Sequence, residues 1–149
     1  MATDSDPNAP FRPRATRIAC LVIVVWLVAG LVVFVVVLNR LDEPRVPDQV
    51  AAAVIVALVC AFLARQAGVR AVPDPDGLTV RNVILTHRLD WAEIVSVRFG
   101  ERDWVQLDLA DGRTLAVMAI QRVDGERGRA AASRLASLVA AHEPGGGAP

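Results

Sequence analysis

The first feature of the chain is a run of 21 residues without a charged side chain, Ile18 to Leu38, reading IACLVIVVWLVAGLVVFVVVL. A helix needs roughly 20 residues to cross a hydrocarbon core of ~30 Å. A second apolar run, Val50 to Ala64, follows a polar loop, and no third occurs. The second run falls short of the bilayer alone, so its helix is expected to start near Pro47 and to continue through Gln66 to Gly68. Arg65 would reach back to the interface. Ala53, Ala57 and Ala61 recur every four residues, a stripe against which Ala29 and Gly30 could pack closely. An alanine-rich composition yields the same stripe by chance.

From Val69 the period changes to two. Asp74-Pro75-Asp76-Gly77 is a turn sequence. Alternating stretches predict strands at Val69–Val72, Leu78–Asn82, His87–Trp91, Ile94–Phe99, Trp104–Leu109 and Thr114–Ile120. In the fourth, Val95, Val97 and Phe99 are expected to face inward; in the fifth, Val105, Leu107 and Leu109. Asp111-Gly112 marks a hairpin between the last two strands. Glu93 is placed to accept a bond from a backbone amide at the turn after Trp91. The period becomes helical from Gly128 to His142, with Ala131, Leu135, Leu138, Val139 and His142 on one face. Residues 1–17 and 143–149 read as loose tails. The expected organisation is therefore a tail (1–17), a first transmembrane helix (18–38), an outer loop (39–49), a second helix with its junction (50–68), a β domain closed by one helix (69–142), and a tail.

A cleavable signal has a shorter apolar core and a small-residue cleavage site. Here the run ends in Val-Val-Val-Leu-Asn-Arg, so it reads as a retained anchor. Arg12, Arg14 and Arg17 precede the first run, and Arg65 and Arg70 follow the second. The intervening loop sets Arg40 and Arg45 against Asp42, Glu43 and Asp48. This bias predicts both termini in the cytoplasm of a multi-pass plasma-membrane protein.

Charge narrows the partners. The 16 basic residues are all arginine, as a GC-rich coding genome would give, and the formal net charge is zero. No polybasic footprint for nucleic acid appears. Cys20 and Cys60 both lie in the apolar runs, where they read as small helix residues; an antiparallel hairpin would also allow a bridge between them. No metal-ligand spacing, carboxylate pair or phosphate loop stands out, and His87 and His142 lie on separate elements. The expectation is a protein without catalytic residues, cofactor or metal.

Asp76-Gly77-Leu78-Thr79-Val80-Arg81-Asn82, Arg88-Leu89-Asp90-Trp91-Ala92-Glu93-Ile94 running into Val95-Ser96-Val97-Arg98-Phe99, then Trp104 and Leu107-Asp108-Leu109-Ala110-Asp111-Gly112-Arg113-Thr114-Leu115, carry a resemblance. In that order, after a helical hairpin, they resemble the bacterial PH-like domain membrane proteins, in particular the actinobacterial low molecular weight protein antigen 6 family. The resemblance implies a PH-like split barrel of antiparallel strands capped by a C-terminal helix, with no established reaction or ligand. It also implies a seventh strand, for which Val83 to Thr86 is one location.

Two surfaces are candidates for contact. Arg81, Arg88 and Arg98 fall on outward strand faces and could meet lipid headgroups, or be solvated or locally paired. Trp104 alternates outward beside Arg102, a pairing suited to an interface; it could equally cover the barrel's open edge. The expected partners are the bilayer and a membrane or cytoplasmic protein. A domain tethered so closely to a membrane helix gains little from lipid affinity as a recruiting device, which favours binding of a protein.

Overall fold

The computed structural model describes residues 9–40, 46–100 and 102–142. They form two compact units: residues 16–67, and a second unit built from the residues before 16 together with those from 68 onward.

The helical unit contains α1 (Arg14–Leu38) and α2 (Val46–Ala67). At 1.5 Å per residue they are about 37 and 33 Å long, enough to span a hydrocarbon core of ~30 Å. Both begin four residues before the apolar runs do. In α2, Pro47 sits in the first turn, where its missing N–H costs no bond, with Asp48 beside it and Arg65 in the last turn. Val24, Leu27, Leu31, Val35 and Leu38 of α1 are half-buried, as are Gln49, Ala52, Val56, Cys60 and Leu63 of α2. This three-and-four spacing is that of a packed seam. Ala53, Ala57 and Ala61 are exposed instead, as are Ala29 and Gly30, so the small-residue stripe does not pack. Gln49 Nε2 donates to Asn39 Oδ1 at 2.8 Å, joining the two helices at one end. Cys20 and Cys60 are free thiols. Residues 41–45 and 143–149, where the outer loop and C-terminal tail were expected, lie largely or wholly outside the described residues.

The second unit holds two three-stranded antiparallel sheets, β1-β2-β3 and β4-β5-β6. The strands are β1 (Arg70–Asp74), β2 (Gly77–Arg81), β3 (Thr86–Asp90), β4 (Ile94–Arg98), β5 (Trp104–Leu109) and β6 (Thr114–Gln121), followed by α3 (Glu126–His142). Every strand pattern read from alternation is present. Leu78, Val80, Leu89, Val105, Leu107, Val117 and Ile120 meet Leu135 and Val139 of α3 in one core. Asp74 Oδ1 accepts from the amides of Asp76 and Gly77, which closes the first hairpin. Gly112 takes φ 81° in the last hairpin, a conformation other residues rarely adopt.

Three local features differ from the alternating pattern. Val95 is 58% exposed although it lies in a run of inward-facing valines. The register slips between Ile94 and Ser96, so Val95 is the extra residue of a β-bulge and is turned outward. Val83 to Thr86 adds no further strand: Val83 to Leu85 lie in the turn between β2 and β3, closed by Asn82 N–H to Leu85 C=O at 2.9 Å, and Thr86 opens β3. Finally, α3 buries Ala132 rather than Ala131 at its centre, with Gly128 packed where the helix begins.

The largest departure is at the N-terminus. Residues 1–8 lie outside the described residues, but 9–15 are an integral part of the β unit. Phe11 bridges Ala71 in antiparallel fashion, exchanging N–H to C=O bonds of 2.8 and 3.1 Å. Its ring is 4% exposed and lies under the Arg134 guanidinium at 3.9 Å. Arg134 also donates to Ala9 C=O, and Pro13 is fully buried. Ala15 N–H, in the first turn of α1, donates to Asp124 Oδ1 at 2.9 Å. A short segment with two prolines and two arginines has no periodicity to announce it, yet it docks through Phe11, Pro13 and the bonds at Ala9 and Ala15. The chain thus leaves the β unit at residue 15 and re-enters it at 68, with only Gly68 and Val69 between α2 and β1.

Candidate interaction site

Asp108 organises the outer face of the second sheet. It projects from β5 opposite Ser96, with Arg98 and Thr114 alongside. Arg98 donates to Oδ1 at 2.7 Å, Ser96 Oγ to Oδ2 at 2.6 Å, and Thr114 Oγ1 to Oδ1 at 3.2 Å. The Arg98 guanidinium, helped by the Ser96 hydroxyl, holds the Asp108 carboxyl below the usual carboxylate range. At the adjacent hairpin the Arg113 amide and side chain do the same for Asp111.

The three candidate arginines do not converge. Arg98 belongs to this outer-face network on β4. Arg88, on β3, stands 4.0 Å from Asp74 and is mostly exposed. Arg81 is exposed at the end of β2, opposite Arg70 on one side and Thr86 on the other. A single phosphate could not engage all three through the geometry seen here, because two already have carboxylate neighbours and Arg98 lies on the other sheet.

Trp104 is half-buried at the start of β5, on the outer side of the alternation with Gln106 and Asp108. It pairs with Gln121, the last residue of β6. The single turn of helix that follows, Arg122–Asp124, carries the carboxylate that holds Ala15. Trp104 therefore sits at the end of the sheet from which the chain departs into α1. The other conspicuous aromatic is structural: Trp91 is buried, donates from Nε1 to Asp74 C=O at 3.0 Å, and stacks on His142 at 4.8 Å between ring centroids. Glu93 accepts the Asp90 amide at 2.9 Å, as its spacing suggested. Among the described residues no group of three or more His, Cys, Asp or Glu side chains could hold a metal ion.

With this geometry in place, the comparison with protein families is specific. The family described as "Bacterial PH domain" matches residues 68–137. Over these residues the chain is similar to bacterial PH domains, and the β unit is called the PH domain below. The match begins at the end of α2 and stops within α3, so both apolar helices lie outside it. Uncharacterized proteins of Mycobacterium bovis and of two Mycobacterium tuberculosis strains are each 42% identical over 69 residues. That stretch is 46% of this chain and 45% of each relative, so the match spans about half the length of the relatives. No solved structure matches the chain. Neither the family description nor the relatives name a ligand. Alternation alone marked the strands of the PH domain and the outward placement of Trp104. It missed Phe11 and Pro13, whose only local signal is one aromatic among prolines and arginines upstream of the first helix, and Arg134 of α3, which meets Phe11 only through the fold.

Proposed function

We propose that this chain is a non-enzymatic integral membrane protein that presents its PH domain at the cytoplasmic face as a protein-binding module. The finer assignment, to the low molecular weight protein antigen 6 family, goes with this reading and is supported by the order of hairpin and motifs. The observation that carries it is the double attachment of the PH domain. The chain joins it to α1 through a docked segment and to α2 through two residues. Such a module is already concentrated at the bilayer and needs no lipid affinity for recruitment. Lipid sensing by Arg81, Arg88 and Arg98 together is the weaker reading, because those side chains are separated and partly engaged.

Trp104 is the contact residue favoured here, with the outer edge of β3, a terminal strand, as a second surface. Its place near the start of α1 suits a partner that is itself a membrane protein. The test is affinity capture of the full chain from detergent-solubilised membranes, beside Trp104→Ala. A specific protein retained by the wild type and reduced with Trp104→Ala supports the reading. Recovery of no specific protein, or the same set undiminished with Trp104→Ala, overturns it.

A further inference from the structure

Turns are normally polar, but the one between β2 and β3 reads Asn82-Val83-Ile84-Leu85. Val83 packs against the core, while Ile84 is 80% and Leu85 60% exposed. The turn is firmly held. Asn82 Nδ2 donates to Ala116 C=O at 2.7 Å, and Asn82 Oδ1 accepts from the Met118 amide at 3.2 Å. The two apolar side chains are thus displayed by a fixed backbone, and such display is unfavourable in water unless something covers it.

The strand register shows what lies nearby. Arg70, the third residue after α2, is opposite Arg81, and Arg81 is opposite Thr86. The row spans neighbouring strands about 4.8 Å apart, and the turn begins at the next residue. The apolar tip and the junction with α2 therefore share one end of the sheet. At the other end Asp74 and Asp90 flank Gly77 in register, with Asp76 in the turn. Arginines beside exposed apolar side chains, with carboxylates held away, match an anionic leaflet: guanidinium groups meet phosphates and aliphatic side chains enter the acyl boundary.

We infer that the Ile84–Leu85 tip inserts into the leaflet surface from which α2 emerges, with Arg70 and Arg81 on lipid phosphates. The inference rests on the reading that α1 and α2 span the bilayer. It adds a third attachment for the PH domain and sets which end of it faces the membrane, with the acidic β1–β2 turn pointing away.

The test uses the full chain with Cys20→Ala and Cys60→Ala, reconstituted in vesicles of phosphatidylcholine and phosphatidylglycerol. One cysteine is restored at a time, as Ile84→Cys, Asp76→Cys or Leu58→Cys, and labelled with the fluorophore NBD. Quenching by doxyl-labelled lipids reports depth. The Ile84→Cys label should emit at shorter wavelength and lose most of its emission to shallow quenchers. The Asp76→Cys label should do neither, and Leu58→Cys, inside α2, should respond to deep quenchers. If Leu58→Cys is quenched while Ile84→Cys behaves like Asp76→Cys, the insertion is overturned and the hairpin stands. If Leu58→Cys is not quenched, the spanning hairpin itself is overturned, and the insertion with it.

Discussion

Replacing Phe11 with alanine should release the N-terminal segment from the PH domain while leaving the rest of the domain folded. Phe11 is 4% exposed, and a large-to-small change at such a site costs about 3–5 kcal/mol when the surroundings cannot collapse. Loss of the Arg134 contact, worth about 0.5–2 kcal/mol, falls within that figure. The penalty has a ceiling, because the segment can leave the groove rather than retain a cavity. Beyond that point only the docking free energy is lost, so about 3 kcal/mol is the appropriate expectation. At about 1.4 kcal/mol per factor of ten, this is roughly a hundredfold loss of protection against amide exchange. The amides to read are those of Phe11 and Ala71, which bond to each other's carbonyls. The assay is residue-resolved hydrogen exchange by NMR on the full chain in micelles. Amides of β5, central in the other sheet, serve as an internal reference. Arg134→Gln should give a smaller change at the same sites, about fivefold for ~1 kcal/mol. If Phe11→Ala alters Ala71 exchange by less than roughly threefold, below about 0.7 kcal/mol, the ring does not hold the segment and the reasoning fails.

Three further outcomes follow from other parts of the fold. Asp108 has a lowered carboxyl pKa in the native state, so as pH falls the unfolded chain takes up its proton first. Its contribution is complete above the ordinary value of 3.8 and vanishes as pH falls through the lower native value; denaturant unfolding of wild type and Asp108→Asn should differ near neutrality and converge in acid. In Gly128→Ala the new Cβ would collide with the Gln121 carbonyl oxygen, so α3 must shift off β6, costing about 1–3 kcal/mol in thermal or denaturant unfolding. A reporter active only in the cytoplasm, fused after His142, should give signal; signal from an extracytoplasmic reporter at that position would reverse the proposed topology.

Strands and helices were legible because each announces itself within a short window. Leu78 and Val80, or Val105, Leu107 and Leu109, repeat every second residue whatever lies elsewhere in the chain. The features that escaped depend on distant partners or on one-residue irregularities. Val95 looks like its neighbours until the bulge opposite Asp108 turns it out. The alanine stripe on α2 is a genuine pattern, but larger side chains at positions 24, 27, 31, 35 and 38 of α1 set the seam elsewhere. Of the candidate surface residues, outward direction was readable for Arg81, Arg88, Arg98 and Trp104. Their separation was not, since it depends on which sheet each strand joins.

The docked segment also changes what counts as the domain. The family match covers residues 68–137, and a fragment cut to that boundary would lack Phe11 and Pro13, leaving the edge at Ala71 and the face of Arg134 uncovered. Burying a phenylalanine side chain contributes about 1.5–3 kcal/mol. For a domain of this size each kcal/mol moves the midpoint by about 4–8 °C. Residues 68–142 alone should therefore melt roughly 6–24 °C below a version in which residues 9–15 are rejoined through a flexible linker that replaces the hairpin. Scanning calorimetry or circular dichroism on the two soluble proteins decides the point. Equal midpoints would mean that the segment is an accessory. A deficit restored by the linker, and brought back by Phe11→Ala within the linked form, would mean that the PH domain is completed by residues on the far side of the two apolar helices. In that case the two apolar helices are an insertion into the domain rather than an appendage to it.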